Sequence, residues 1–174
     1  MKTRQEVEAK FFRTRQMLIP LIVLSVFNVL LAALDSTFYL LFAATIPMAI
    51  VESGLAASGA MAVLIALGIA LAVIGLYGLC YWLSKKWNGF MLVALVLFLL
   101  DTLYLLLIFT MTFDLGFFLD LIIHAALLYY LVIGTKAWID LMRLPLVDET
   151  MDVVEVVEDD AVIEAISTDD VEIQ

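Results

Sequence analysis

The stretch that most constrains this chain is Phe90–Thr112, FMLVALVLFLLDTLYLLLIFTMT, in which Asp101 is the only charged residue. A helix of that length, rising about 1.5 Å per residue, covers the ~30 Å hydrocarbon core of a bilayer. A carboxylate near the middle of such a helix costs roughly 2.5–3.5 kcal/mol on insertion scales. The Asp101 side chain must therefore face protein or water rather than lipid.

The composition extends this conclusion to most of the chain. Of the 174 residues, 65% are hydrophobic, whereas soluble domains contain about 45–50% apolar residues. The apolar blocks predict an all-α polytopic membrane protein, with four transmembrane helices in a domain over residues 17–144. The four predicted spans are about 17–34, 60–82, 90–112 and 116–135.

A fifth apolar segment, residues 38–51, is too short for a comfortable crossing. It contains fourteen residues, with Pro47 placed to break or bend a helix. We therefore expect a re-entrant or interfacial segment against the outer leaflet. If it crossed, the chain would have five spans and its two ends would lie on opposite sides.

Small residues recur along the second span at spacings that allow helix backbones to approach closely in lipid. One row is Ala62, Ala66 and Ala70; the other small residues are Gly68, Ala72, Gly75 and Gly78. We predict that this span is the packing centre of the bundle, with a face for a homodimer as the alternative.

The basic residues predict the orientation. All nine Lys and Arg fall within 1–16, 83–89 and 136–174, whereas the alternate segments 35–59 and 113–115 contain acidic residues and no base. The positive-inside rule then places both termini in the cytoplasm. The three tryptophans fall at the same boundary, as in an aromatic belt: Trp82, Trp87 and Trp138.

The two ends of the chain have opposite character. Residues 1–16 form a basic amphipathic segment, in which Val7 and Phe11 share one helical face, and we expect a short helix on the cytoplasmic surface. Residues 145–174 carry eleven Asp and Glu and no Lys or Arg. This composition favours a disordered cytoplasmic tail, with docking to a basic partner, or to the protein's own N-terminus, as the alternative.

Four polar residues fall within the predicted spans. Asn28, Asp101 and His124 each lie eleven residues from the predicted cytoplasmic end of their span, which is about 16–17 Å of helix. Asp120 lies one turn from His124 on the same face. We expect a buried cluster in which Asp101 pairs with His124 and Asn28 bonds to the pair. The pair would either fix which helices pack together or exchange a proton during transport, unless errors in the span boundaries keep the groups apart.

Other chemistry finds little support in the sequence. With one cysteine, Cys80, and one histidine, we expect no disulfide, metal site or cofactor. The sequence contains no convincing catalytic set, no phosphate-binding glycine loop and no basic face for nucleic acid. We therefore expect a protein that is not an enzyme.

Three stretches together resemble a group of small, uncharacterised bacterial membrane proteins with four predicted spans. They are LDSTFYLLFAATIP at 34–47, LCYWLSKKWNGFMLVALVLFLLDTLYLLL at 79–107 and DLIIHAALLYYLVIGTKAWIDL at 120–141. The shared features are an acid before a short aromatic-rich segment, an Asp within span 3 and a His pattern in span 4. The resemblance implies the four-span architecture but no activity, and it does not extend to the acidic tail.

The sequence thus favours a non-enzymatic scaffold or accessory subunit of the plasma membrane, in contact with lipid and with a membrane-protein partner or a second copy. The alternative is a small proton-linked transporter or channel component built on Asp101 and His124.

Overall fold

The computed structural model describes residues 3–34, 36, 38–57 and 59–144. These residues form helices and no strand, so the chain is all-α. In order, the helices are α1 (Arg4–Gln16), α2 (Leu18–Ala33), α3 (Thr45–Ala56), α4 (Ala60–Leu83), α5 (Phe90–Thr112) and α6 (Leu115–Arg143).

Within the described residues, four helical stretches are long and apolar enough to cross a membrane. They are Arg4–Ala33, which joins α1 to α2, then α4, α5 and α6. The chain is therefore a multi-pass, all-α membrane protein, as the sequence predicts. The predicted bounds agree to within one residue for α2, α4 and α5.

The first helix begins with a capping box, since the Thr3 hydroxyl accepts from the Glu6 amide and the Glu6 carboxylate accepts from the Thr3 amide. The chain then runs into α2 with only a local irregularity at Met17, which keeps helical backbone angles. Val7 and Phe11 are buried, and α1 packs along α6. The predicted helix is present, but its apolar face lies against α6 rather than against a membrane surface.

The last helix is longer than predicted, because it continues eight residues beyond the expected end at Thr135 to Arg143. The added turns bury Ala137 and Leu141 in the region that packs on α1. Gly134 allows the close approach, because a Cβ there would lie 2.6 Å from the Thr14 methyl group. Hydropathy alone predicts an end at Thr135, before the charged Lys136, whereas packing against α1 extends the helix.

The segment between α2 and α4 returns into the bundle instead of crossing it. Residues 38–44 have no regular structure and run back along α2, and α3 then leads outward again to the start of α4. With twelve residues, α3 is about 18 Å long, well short of the ~30 Å thickness of the hydrocarbon core. Pro47 lies in the first turn of α3, where proline is tolerated, and does not break it. We call residues 38–56 the re-entrant segment.

Helices α3 and α4 are packed closely at Gly54. A Cβ at this position would lie 2.5 Å from the Cβ of Ala66 and 3.1 Å from the carbonyl oxygen of Ala62. The row of Ala66 and Ala70 is buried, and α4 packs on α2, α3 and α5. This row therefore has the central packing role that the sequence predicts for the second span.

We predict that Gly54→Ala lowers the free energy of unfolding by about 1–3 kcal/mol, because the added methyl group must push α3 away from α4. Gly68→Ala is the matched control, since nothing lies within 4 Å of a Cβ there and alanine favours a helix. The lone cysteine, Cys80, is buried, so its reaction with a thiol-reactive dye on heating reports unfolding. Equal melting temperatures for the two variants would contradict the close packing.

Candidate functional site

The Asp101 carboxylate holds the beginning of α3. Its Oδ2 accepts from the amide of Thr45 at 2.9 Å, and its Oδ1 accepts from the amide of Ile46 at 2.8 Å. These amides belong to the first turn of α3, where helical N–H groups have no partner within the helix. No side chain of α3 itself caps this end. Asp101, in the middle of α5, therefore acts as the cap of another helix and places negative charge at its positive end.

His124 completes the bonding of Asp101 from α6. Its Nε2 lies 3.1 Å from Asp101 Oδ2, and its Nδ1 lies 3.0 Å from the carbonyl oxygen of Asp120. A carbonyl only accepts, so Nδ1 carries a hydrogen. One further proton then lies between Nε2 and Oδ2, on either atom. The ring stacks on Phe98, with centroids 5.0 Å apart and planes 11° apart, and both His124 and Asp101 are buried.

Asn28 is not bonded to this pair, contrary to the expectation from its depth. Its amide nitrogen donates to the carbonyl of Leu40 at 2.8 Å, and its amide oxygen accepts from the Leu40 amide at 2.6 Å. Matching depth brings a residue to the correct level but does not determine which neighbour it faces. The amide side chain instead pairs with the irregular backbone of the re-entrant segment.

Ser25 is a second anchor of this segment, and it was not singled out from the sequence. Its hydroxyl donates to the Leu21 carbonyl at 2.7 Å and accepts from the Ala44 amide at 2.8 Å. The available signal was its position three residues before Asn28, which puts both polar groups on one face of α2. Together, Ser25 and Asn28 satisfy backbone groups that would otherwise lie unbonded inside the bundle.

Asp120 joins the cluster but is not fully bonded. Its side chain is 8% exposed. Oδ1 lies 3.4 Å from His124 Nδ1, but that nitrogen bonds the Asp120 carbonyl, and Oδ1 has no hydrogen-bond partner. The Thr45 hydroxyl oxygen is likewise buried without a partner. Both residues line a cavity of about 70 Å³ between the re-entrant segment, α5 and α6.

The structure thus brings Asp101, Asp120 and His124 together and bonds Asn28 elsewhere. Within the described part of the chain, no group of three or more His, Cys, Asp or Glu side chains is placed to hold a metal ion. The arrangement can do two things chemically. It fastens a half-length helix inside the bundle, and it holds one proton between an imidazole and a carboxylate.

The fold and the cluster define the class of protein, a polytopic helical membrane protein with a re-entrant half-helix. Comparisons with protein-family models, with curated proteins and with solved structures give no match. The resemblance to a group of bacterial four-span proteins therefore stays a prediction.

We predict that Asp101→Leu lowers the free energy of unfolding by about 3–5 kcal/mol, because it leaves His124 and two helix amides without their hydrogen-bond partner. Asp101→Asn should cost less, since the amide oxygen still accepts one of these bonds. Thermal unfolding in mild detergent, followed at Cys80, measures both.

Thr102→Val is the matched control on the same helix, because the Thr102 hydroxyl bonds only the carbonyl of Phe98 in its own helix at 2.8 Å. A melting temperature for Asp101→Leu equal to that of Thr102→Val would show that Asp101 does not hold α3.

Proposed function

We propose that this protein is a non-enzymatic scaffold or accessory subunit that holds the transmembrane helix of a partner against α4. The observation that carries the proposal is a row of three small residues on the exposed side of α4, between larger apolar side chains, that the rest of the bundle does not cover. Gly68, Ala72 and Gly75 are all exposed, and nothing lies within 4 Å of a Cβ placed at either glycine.

This face has the geometry that membrane helices use to associate. Gly68, Ala72 and Gly75 are spaced four and three residues apart and therefore lie on one side of α4. In lipid no hydrophobic force drives helices together, and association depends on close backbone packing, which small residues allow. The buried row with Ala66 and Ala70 already serves this purpose toward α2 and α3. The row of Gly68, Ala72 and Gly75 places small residues on the exposed side of α4 as well.

The polar cluster supports a structural reading of the interior. Both oxygens of Asp101 accept amides from α3, and Oδ2 also contacts His124. A proton-linked carrier would have to exchange these bonds in each cycle, and α3 would lose its cap each time. A bundle stabilised in this way is better suited to present a fixed outer surface to a partner.

The positions of the charges support both termini in the cytoplasm of a cell with this protein in its plasma membrane. The bases on α1, the lysines of the α4–α5 turn and the bases near the end of α6 belong to one end of the helix bundle. At the other end, the described residues include Glu52 and Asp114 and no base. This distribution follows the positive-inside rule.

We predict that the double variant Gly68→Leu, Gly75→Leu abolishes capture of a partner, because leucine side chains hold a second helix away from α4. Crosslinking in native membranes, followed by identification of the crosslinked chains, measures this. A second copy of this chain as the partner would be one form of the expected result.

Ile69→Phe is the matched control, since Ile69 is 49% exposed and lies about 100° around the helix from Gly68. It adds bulk beside the small face without covering it, so crosslinking should persist. Equal crosslinking of wild type and the double variant would overturn the assignment of this face.

The acidic tail, residues 145–174, lies outside the residues that the structure describes, and its predicted docking role stays a hypothesis. We predict that deletion of residues 146–174 removes basic partner segments from the crosslinked set, because the tail supplies eleven carboxylates without a base. Replacement of its acids by Asn and Gln at constant length is the control for tail length. Identical partners with and without the tail would contradict the docking role.

A further inference from the structure

The cavity beside Asp120 is lined mostly by apolar side chains, with a few polar groups among them. It measures about 70 Å³, room for roughly two water-sized species at ~30 Å³ each. Its polar lining comes from Asn28, Tyr39, Thr45, Glu52 and Asp120. Asp120 and Thr45 are among the residues that line the cavity, and each carries a buried oxygen without a hydrogen-bond partner.

Charge is also out of balance around the cavity. The buried cluster contains two carboxylates, Asp101 and Asp120, and a single imidazole. No Lys or Arg of the described chain lines the cavity. The His124 ring lies 3.1 Å from Asp101 and 3.4 Å from Asp120, and one imidazolium neutralises one of the two carboxylates, so one net negative charge remains inside the bundle. Burial of such a charge is unfavourable unless a counter-ion or a proton neutralises it.

We propose that this cavity binds a small monovalent cation, of the size of Na⁺ or ammonium, between the Asp120 carboxylate and the Thr45 hydroxyl oxygen. One carboxylate with neutral oxygens neutralises a single positive charge and would leave a divalent ion with a buried excess charge. The exposed Glu52 lies seven residues along α3 from Thr45, about 10 Å toward the end of the bundle, and attracts cations to the opening.

The cation would link two elements that Asp101 already connects. Thr45 is the first residue of α3, and Asp120 belongs to α6. A bound ion therefore links the re-entrant segment to α6 on the cavity side. On the other side, Asp101 of α5 accepts the amides of the first turn of α3. Occupancy should raise the stability of the whole chain, because the ion binds only the folded arrangement.

The test uses the full chain in lipid nanodiscs at constant ionic strength. Thermal unfolding, followed at Cys80, is measured in NaCl, NH₄Cl, KCl and choline chloride. We expect a saturable rise of roughly 2–4 °C in Na⁺ or NH₄⁺ over choline, and saturable binding of radioactive ²²Na⁺ that the favoured cation displaces. Equal melting temperatures in all four salts would overturn the proposal.

Asp120→Asn removes the charge at constant shape and should abolish both the salt-specific rise and ²²Na⁺ binding. Asp140→Asn, on the same helix but away from this cavity, should leave both unchanged. Thr45→Val should weaken binding without removing the carboxylate. If Asp120→Asn does not fold, the wild-type salt series and Thr45→Val still decide, and a Thr45→Val variant that binds as wild type does would exclude Thr45 as a ligand.

Discussion

The fold depends on the bonding of the α3 amides by the Asp101 carboxylate. In lipid, a backbone group without a hydrogen-bond partner costs several kcal/mol, so a chain that re-enters the bundle must find partners for its irregular part. Here these partners come from side chains of the spanning helices: Ser25 and Asn28 for residues 38–44, and Asp101 for the start of α3. The costly charge at the middle of α5 is thus what permits the re-entrant segment.

The same bonds explain why the polar residues of the spans occur where they do. The carboxylate of Asp101 is compensated on one side by the positive end of α3 and on the other by His124. His124 is in turn held by the Asp120 carbonyl and by stacking on Phe98. Each group has its orientation set by a neighbour from another helix. The network therefore specifies which helices pack together. It favours one arrangement of the bundle over others, and it also stabilises that arrangement.

The sequence predicts the parts of this architecture that depend on local properties. The bounds of α5 follow from a long apolar run with a single charged residue, and the common level of Asp101 and His124 follows from depth in antiparallel helices. Packing between segments that are distant in the sequence determines the extension of α6 beyond Thr135 and the docking of α1 on it. Local composition does not predict such packing. The partner of Asn28 is a backbone group, and backbone groups are the same at every position. Which backbone group Asn28 bonds therefore depends on the path of the chain through the bundle.

Small residues lie on two sides of α4, one side used in folding and the other proposed above for contact with a partner. Toward the bundle it presents Ala66 and Ala70, which let α3 approach closely enough that Gly54 has no space for a side chain. Toward lipid it presents Gly68 and Gly75, which no part of the described chain covers. Glycine lowers helix stability by about 1 kcal/mol relative to alanine, so a single chain gains nothing from it on a lipid-facing surface. The partner helix proposed above would account for the glycines on this surface, because it would pack closely against them.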